Sequence, residues 1–361
     1  MSKSKLDYLF LFSVLALLAV GLIMVFSASP SMGLKYGDAF YYIKRHLFYL
    51  LLGMLALYYG LHLELENLKN KSLPILILSI LLLGAVFVPG IGRKVLGASR
   101  WIELGLLSFQ PSELVKFSMV LFLAKWFSEK KDLIQNFAQG VVFPLFIFIL
   151  ISLLIMKQPD LGTVVVLGAT IFSMLFIAGA RIGHLLALGG VGVAGIIALS
   201  IATPYRLRRL VAYLNPWRDP QGIGFQIIQS LLAVGSGGLL GLGLGASRQK
   251  FFYLPQQFTD FIFAILCEEL GFIGGAGVVV LFVIFAARGF RIAFSTSNLF
   301  KGLLAAGIVS WLTLQALTNI LVVLGLVPTT GIPLPFISYG GTATIINLFA
   351  VGVVLNISKK V

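Results

Sequence analysis

Tyr8-Leu-Phe-Leu-Phe-Ser-Val-Leu-Ala-Leu-Leu-Ala-Val-Gly-Leu-Ile-Met-Val-Phe26 contains no charged residue. As an α-helix this run extends roughly 28 Å at about 1.5 Å per residue, close to the ~30 Å hydrocarbon core of a bilayer. Lipid offers backbone groups no hydrogen bonds, so such a run is read as a spanning helix. Lys3 and Lys5 precede it, and Ser27-Ala28-Ser29 imitates a signal-peptidase site. The run is longer than a usual signal h-region and more apolar runs follow, so it is expected to stay as an uncleaved first span.

Working outward, ten apolar runs are long enough to cross: 8–28, 46–63, 73–89, 111–128, 141–156, 161–179, 184–202, 260–287, 302–326 and 340–357. The 361 residues are 59% hydrophobic and 11% charged, with a mean hydropathy of +1.01; a soluble chain is nearer a quarter charged. The expected fold class is all-α: a polytopic integral membrane helix bundle of about ten transmembrane helices, one domain over 1–361. A large extracytoplasmic loop, 203–259, separates spans seven and eight.

The net charge of +14 points first to anionic lipid headgroups. No basic stripe interleaved with aromatics occurs in a soluble-looking segment, so nucleic acid is not an expected partner. Cys267 is the only cysteine, which excludes an intrachain disulfide and a cysteine metal site. His46, His62 and His184 are scattered near segment ends, where packing at the interface is the expectation. An even number of spans puts both termini on one side. The positive-inside rule ties at 13 Lys+Arg on each face, counting Lys125 with the inner side and leaving out Lys116 within its span. Omitting 203–259 gives 13 against 7 and favours termini inside. The outer face therefore carries more cations than topology requires.

Those cations sit in the long loop: Arg206, Arg208, Arg209, Arg218, Arg248 and Lys250. Asn215-Pro-Trp-Arg-Asp-Pro220 is turn chemistry with an interfacial Trp. Gly237, Gly241 and Gly245 recur every four residues, a bare stripe if helical, so a membrane-associated or re-entrant helix is expected over 222–245. An ordinary surface helix is the equal alternative. The loop at 90–110 holds Arg93, Lys94 and Arg100, then Trp101-Ile-Glu-Leu-Gly-Leu-Leu107, expected as a short interfacial helix. Val327 to Gly341 carries three prolines and no charge, and reads as a stiff, irregular segment tucked against protein.

Asp260 stands where the basic loop meets the eighth span. It reads either as a general base or cation ligand at the outer mouth, or as the helix N-cap. Position alone leaves the two even, and the neighbouring cations favour the functional reading. Glu268 and Glu269 lie roughly 12 Å deeper on that helix. Adjacent acids there are costly, and structural pairing, with Lys116 or backbone groups, is favoured over catalysis. Glu113 and Lys116 share one helix face at i, i+3, either as a self-paired couple or as the lining of a polar cavity. Asp160 reads first as an N-cap. The run Gly235 to Gly245 is neither a Walker loop nor a dinucleotide fingerprint. No hydrolase triad, zinc motif or nucleotide loop occurs, so an already activated substrate is expected.

Five motifs resemble the SEDS family of shape, elongation, division and sporulation proteins. They are Gln110-Pro-Ser-Glu-Leu-Val-Lys116, Lys157-Gln-Pro-Asp-Leu-Gly-Thr163, Gly224-Phe-Gln-Ile-Ile-Gln-Ser230, Thr259-Asp-Phe-Ile-Phe-Ala264 with Glu268-Glu-Leu-Gly271, and Pro333-Leu-Pro-Phe-Ile-Ser-Tyr-Gly-Gly341. Gly241 to Pro255 looks closer to the FtsW/SpoVE branch than to RodA. The resemblance implies a peptidoglycan glycosyltransferase of the bacterial cytoplasmic membrane, with ten spans, cytoplasmic termini and an extracytoplasmic site. It implies lipid II as substrate, a class B penicillin-binding protein transpeptidase and other division or elongation proteins as partners, and a divalent cation, Mg or Mn, as cofactor.

On that resemblance the family's essential aspartate falls on Asp260, the catalytic candidate and a candidate cation ligand. Glu113, Lys116, Asp160, Arg100, Lys94, Arg206, Arg248, Lys250 and Ser338 are the substrate-binding or cavity-lining candidates, and Glu268 and Glu269 stay structural. The chain departs from the family's common Pro-Glu-x-His-Thr-Asp at Pro255-Gln-Gln-Phe-Thr-Asp260, so neither position 256 nor 258 is given a base or metal role. The implied step is proton transfer from the acceptor sugar's 4-hydroxyl to Asp260, attack on the donor's anomeric carbon with inversion, and departure of undecaprenyl pyrophosphate. The rival readings are a flippase for the lipid-linked precursor and a scaffold for the transpeptidase.

Overall fold

The computed structural model describes residues 6–95, 98–105, 107–250 and 254–359. Among the described residues fourteen α-helices follow one another: α1 Tyr8–Ala28, α2 Pro30–Gly33, α3 Tyr41–His62, α4 Leu65–Asn70, α5 Ser72–Ala85, α6 Pro111–Glu129, α7 Val142–Lys157, α8 Leu161–Ile177, α9 Ile182–Ile201, α10 Pro204–Leu214, α11 Phe225–Ser236, α12 Ile262–Ser295, α13 Leu299–Val323 and α14 Gly341–Ser358. Each of the ten expected runs overlaps one of these helices. Among the described residues six are long and apolar enough to cross a membrane: α1, α7 with its preceding π-turn Phe137–Val141, α9, α12, α13 and α14. The protein is an integral membrane helix bundle.

The centre of the bundle is α6, α13 and α14. Most side chains of α6 are buried around its whole circumference, the Glu113 and Lys116 side chains among them, which places the helix inside the bundle. α13 packs on α6, α8 and α12, and α14 packs along α3. Lipid tails are as apolar as leucine, so close backbone approach is a main source of helix association. A Cβ at Gly352 of α14 would lie 2.2 Å from the Leu57 carbonyl oxygen of α3, and one at Gly60 of α3 would lie 2.7 Å from that of Phe349. α9 buries only Leu185 and stands at the edge.

Two expectations are corrected. Residues 92–109 form a three-stranded antiparallel sheet, β1 Gly92–Val95, β2 Ala98–Leu104 and β3 Leu107–Phe109, where a helix was expected at 101–107. Leu104 pairs with Leu107, and Gly105 has φ +64°, a left-handed conformation that glycine adopts without strain. Arg93 pairs with Glu103 across β1 and β2.

The second correction concerns the glycine stripe. α11 stops at Ser236, and Gly238, Gly241, Gly243 and Gly245 all take positive φ. This irregular strand inserts into a break in α12 at Gly271, where φ is +68° and ψ −168°. Leu242 and Gly243 donate to the carbonyls of Glu268 and Glu269, both at 3.0 Å, while Phe272 and Ile273 donate to those of Gly238 and Leu239 at 2.8 and 3.2 Å. The interrupted helix thus exchanges its lost i to i−4 bonds with the glycine strand, and non-helical backbone inside the bundle stays satisfied. A Cβ at Gly241 would lie 2.2 Å from the Glu269 carbonyl oxygen.

Candidate functional site

The 256–260 segment is a run of turns pinned from several sides. Gln257 Nε2 donates to the Ala28 carbonyl and Ser31 Oγ, both at 2.9 Å. Tyr339 N donates to the Phe258 carbonyl at 2.9 Å, Ser338 Oγ to that of Thr259 at 2.5 Å, and Asn319 Nδ2 to that of Asp260 at 2.7 Å. The backbone of the segment is fixed, and the Asp260 side chain faces a cavity of ≈ 440 Å³. Phe261 occupies the N-cap position of α12, with no side-chain capping bond; the capping role considered for Asp260 is not what its carboxylate does.

Four expected site residues line this cavity together: Asp260, Asp160, Glu113 and Arg100. Asp160 is buried and caps α8, its oxygens accepting from Thr163 N at 3.1 Å and Thr163 Oγ1 at 2.9 Å. Arg100, on β2, donates to the carbonyls of Gln158 and Pro159 at 2.8 and 2.7 Å, so the sheet braces the turn that carries Asp160. Gly162 lets the 330–332 segment approach, since a Cβ there would be 2.8 Å from Ile332 Cγ1. Glu113 Oε1 pairs with Lys116 Nζ at 2.8 Å. Lys116 also donates to Gln315 Oε1 at 2.7 Å and lies 5.2 Å from the Trp311 ring centroid. Glu113 Oε2 is buried without a partner.

The other candidates lie elsewhere. Ser338 is buried and ties the last loop to Thr259 and Leu334. Arg206 reaches back to the Leu199 carbonyl, and the cavity-facing cation of α10 is Arg209, one turn from Tyr205. Arg248 is exposed, and its backbone N donates to Glu268 Oε1 at 2.9 Å. Lys250 pairs with Glu269 Oε1 at 3.1 Å, in a buried cluster with Ser27 and Ser247 outside the cavity lining. Glu268 and Glu269 therefore anchor the 247–250 turn, and Lys116 pairs elsewhere. Lys94 sits on β1, with its side chain outside the described residues.

Sequence reasoning missed Tyr205, Arg209, Gln226, Gln256, Thr329 to Gly331 and Tyr339 as cavity residues. The i, i+4 spacing of Tyr205 and Arg209 was an available signal; Thr329 to Gly331 carried none. Arg209 Nη1 donates to the Thr329 carbonyl at 2.8 Å, and its guanidinium lies 4.6 Å from the Tyr205 ring centroid. Gln256 Oε1 accepts from Thr259 Oγ1 at 2.9 Å, and Phe258 packs between Tyr42 and Tyr339 at 4.6 and 5.6 Å. The two departures from the common motif are thus a hydrogen-bonded turn residue and an aromatic wedge.

Burial pushes the Asp260 carboxyl up to about 6; Arg100 and Arg209 pull against that, while the charge of Asp160 adds to it. The cavity therefore offers a partly enclosed carboxylate of raised basicity that shares its walls with two guanidiniums, suited to accepting a proton beside an anionic group. Among the described residues no group of three or more His, Cys, Asp or Glu is placed to hold a metal.

Residues 8–361 match the FTSW_RODA_SPOVE family model, described as cell cycle proteins. The chain is 48% identical to stage V sporulation protein E of Bacillus subtilis, over 99% of this chain and 98% of that protein. It is 42% identical to a probable peptidoglycan glycosyltransferase FtsW of Geobacter sulfurreducens, over 99% and 96%. Its fold matches a chain from a peptidoglycan synthase complex that coordinates polymerization and crosslinking, with a TM-score of 0.82, 32% identity, and coverage of 99% and 98%. The rod shape determining protein RodA of Thermus thermophilus matches with a TM-score of 0.71, 29% identity, and coverage of 99% and 97%.

Proposed function

The chain belongs to the FtsW/RodA/SpoVE family of cell cycle proteins, and from that membership we propose a residue-level account of its chemistry. It is a membrane-embedded peptidoglycan glycosyltransferase acting in division or shape. Its substrate is lipid II, polymerised at the outer face of the cytoplasmic membrane by a ten-span bundle with both termini in the cytoplasm. The 203–259 loop lies on the outer side. The single observation that carries the residue-level account is that the Asp260 carboxylate shares one cavity with Arg100 and Arg209.

The acceptor's 4-hydroxyl gives its proton to Asp260 as its oxygen bonds to the donor's anomeric carbon. The bond from that carbon to the pyrophosphate oxygen breaks, its electrons leave with undecaprenyl pyrophosphate, and the centre inverts. Arg100 and Arg209 stabilise the charge that develops on the leaving group. The paired Glu113 and Lys116 tie α6 to the 333 segment of the cavity lining through Gln315, which accepts from Lys116 and donates to the Pro333 carbonyl at 2.9 Å. Magnesium is commonly held by one or two carboxylates plus substrate phosphates, and the two-carboxylate set of Asp260 and Asp160 fits that pattern. When bound, such a cation would supply positive charge to the pyrophosphate. The solved relative from a complex that couples polymerization to crosslinking supports a transpeptidase partner.

Purified protein with lipid II tests the account. Asp260→Asn should abolish glycan synthesis while leaving the protein folded, and an unchanged rate would sink the general-base role. Wild-type protein that moves lipid II across vesicles yet makes no glycan would instead identify a flippase.

A further inference from the structure

Asn319 lies on α13, 1% exposed, and is absent from the cavity lining. Both hydrogens of its Nδ2 are used: one goes to the Asp260 carbonyl and the other to the Ile332 carbonyl, each at 2.7 Å. Its Oδ1 is buried and meets no partner. Flipping the amide would set that oxygen against two carbonyl oxygens, so the hydrogen-bond network fixes the orientation. An unpaired buried oxygen costs free energy; what the site gains from an asparagine is its pair of donors.

The two carbonyls belong to the chain segments on either side of the proposed base. One is that of Asp260 itself. The other follows Gly331, where a Cβ would lie only 3.5 Å from Asp260 Oδ2. Gln315, one turn earlier on the same helix face, holds Pro333 and Lys116. One face of α13 thus registers the Asp260 turn, the 331–333 segment and the Glu113–Lys116 pair against each other.

We propose that Asn319 is the positioning residue for Asp260, bridging its backbone to the 331–333 segment so that the carboxylate is held at the acceptor. This rests on Asp260 being the base. The role is indirect, and misplacing a catalytic group by about 1 Å costs on the order of a hundredfold in rate.

The test uses the full-length protein and lipid II, measuring kcat, KM, the pH profile and thermal unfolding for Asn319→Leu, with Asp260→Asn alongside. Leucine keeps the branched shape, with bulkier methyl groups, and removes both donors. The expected result is a ten- to hundredfold loss of kcat, KM within twofold, an acid limb displaced from near pH 6, and a folded protein. Wild-type kcat and limb in folded Asn319→Leu would overturn positioning, as would a loss of rate that only follows the folded fraction. If Asn319→Leu does not fold, Asn319→Asp is judged by the same criteria; if neither folds, the residue serves the fold and the proposal fails. An active Asp260→Asn would show instead that the base assignment is at fault.

Discussion

At the scale of single residues, the proposed base Asp260 carries a prediction about pH dependence. The group acts as a base only when ionised, and burial raises its pKa to about 6. Activity should therefore hold above that value and fall roughly tenfold per pH unit below it, an acid limb to be read from kcat/KM against pH. An acid limb near the ordinary aspartate value would mean that burial does not govern this carboxyl. Two of the three arginines of α10, Arg206 and Arg209, separate site from surface. Arg209→Ala removes a cation from the cavity and should cost roughly tenfold or more in kcat/KM, whereas Arg206→Ala should cost little. Equal losses would place Arg206 in the site after all. Lys116→Met leaves a buried carboxylate without its partner and should lower stability by about 3–5 kcal/mol, with Glu113→Gln restoring part of it in the double variant. Asp260, Glu113 and Asp160 were legible in the sequence because acids flanking apolar runs are rare. Arg209 was not separable from its neighbours without a helix face, and Asn319 carries no charge to betray it.

At the scale of elements, helices were legible wherever apolar length alone decides. Fourteen to twenty or more apolar residues have few other ways to satisfy their backbone in lipid. The sheet at 92–109 was harder: Trp101 to Leu107 reads as an amphipathic turn of helix until Gly105 is taken as a hairpin residue. The glycine stripe misled for a related reason. A four-residue glycine spacing suits helix packing, but these glycines serve positive φ and close backbone approach instead. Gly241→Ala should therefore disrupt the strand inserted in α12, because the new methyl would meet the Glu269 carbonyl and the residue would be held at φ +82°. A drop of several degrees in detergent melting temperature is expected. Gly235→Ala, on α11 with nothing within 4 Å of the new methyl, should leave melting unchanged or raise it slightly, since alanine favours the helix. Equal melting of both variants would remove the special status of the break.

At the scale of the whole molecule, the cavity of the proposed site is assembled from segments far apart in the chain: the β2 strand, the start of α6, the α8 cap, the α10 face, the 256–260 turn and the 329–341 loop. Their only common frame is the bundle, so the site should be lost cooperatively with it. The carboxylate pair is too sparse to hold a cation tightly alone. A chelator should slow glycan synthesis and added magnesium restore it, while calorimetry on the protein without lipid II should detect no tight binding; full activity in excess chelator would dismiss the cation. The break in α12 has a further bearing, on exchange of backbone hydrogens with solvent. Because Leu242, Gly243, Phe272 and Ile273 amides bond across the two segments, neither segment can open without releasing the other. These four amides should exchange with one common rate, so that a helix interrupted in its geometry behaves as a single clasp in its fluctuations.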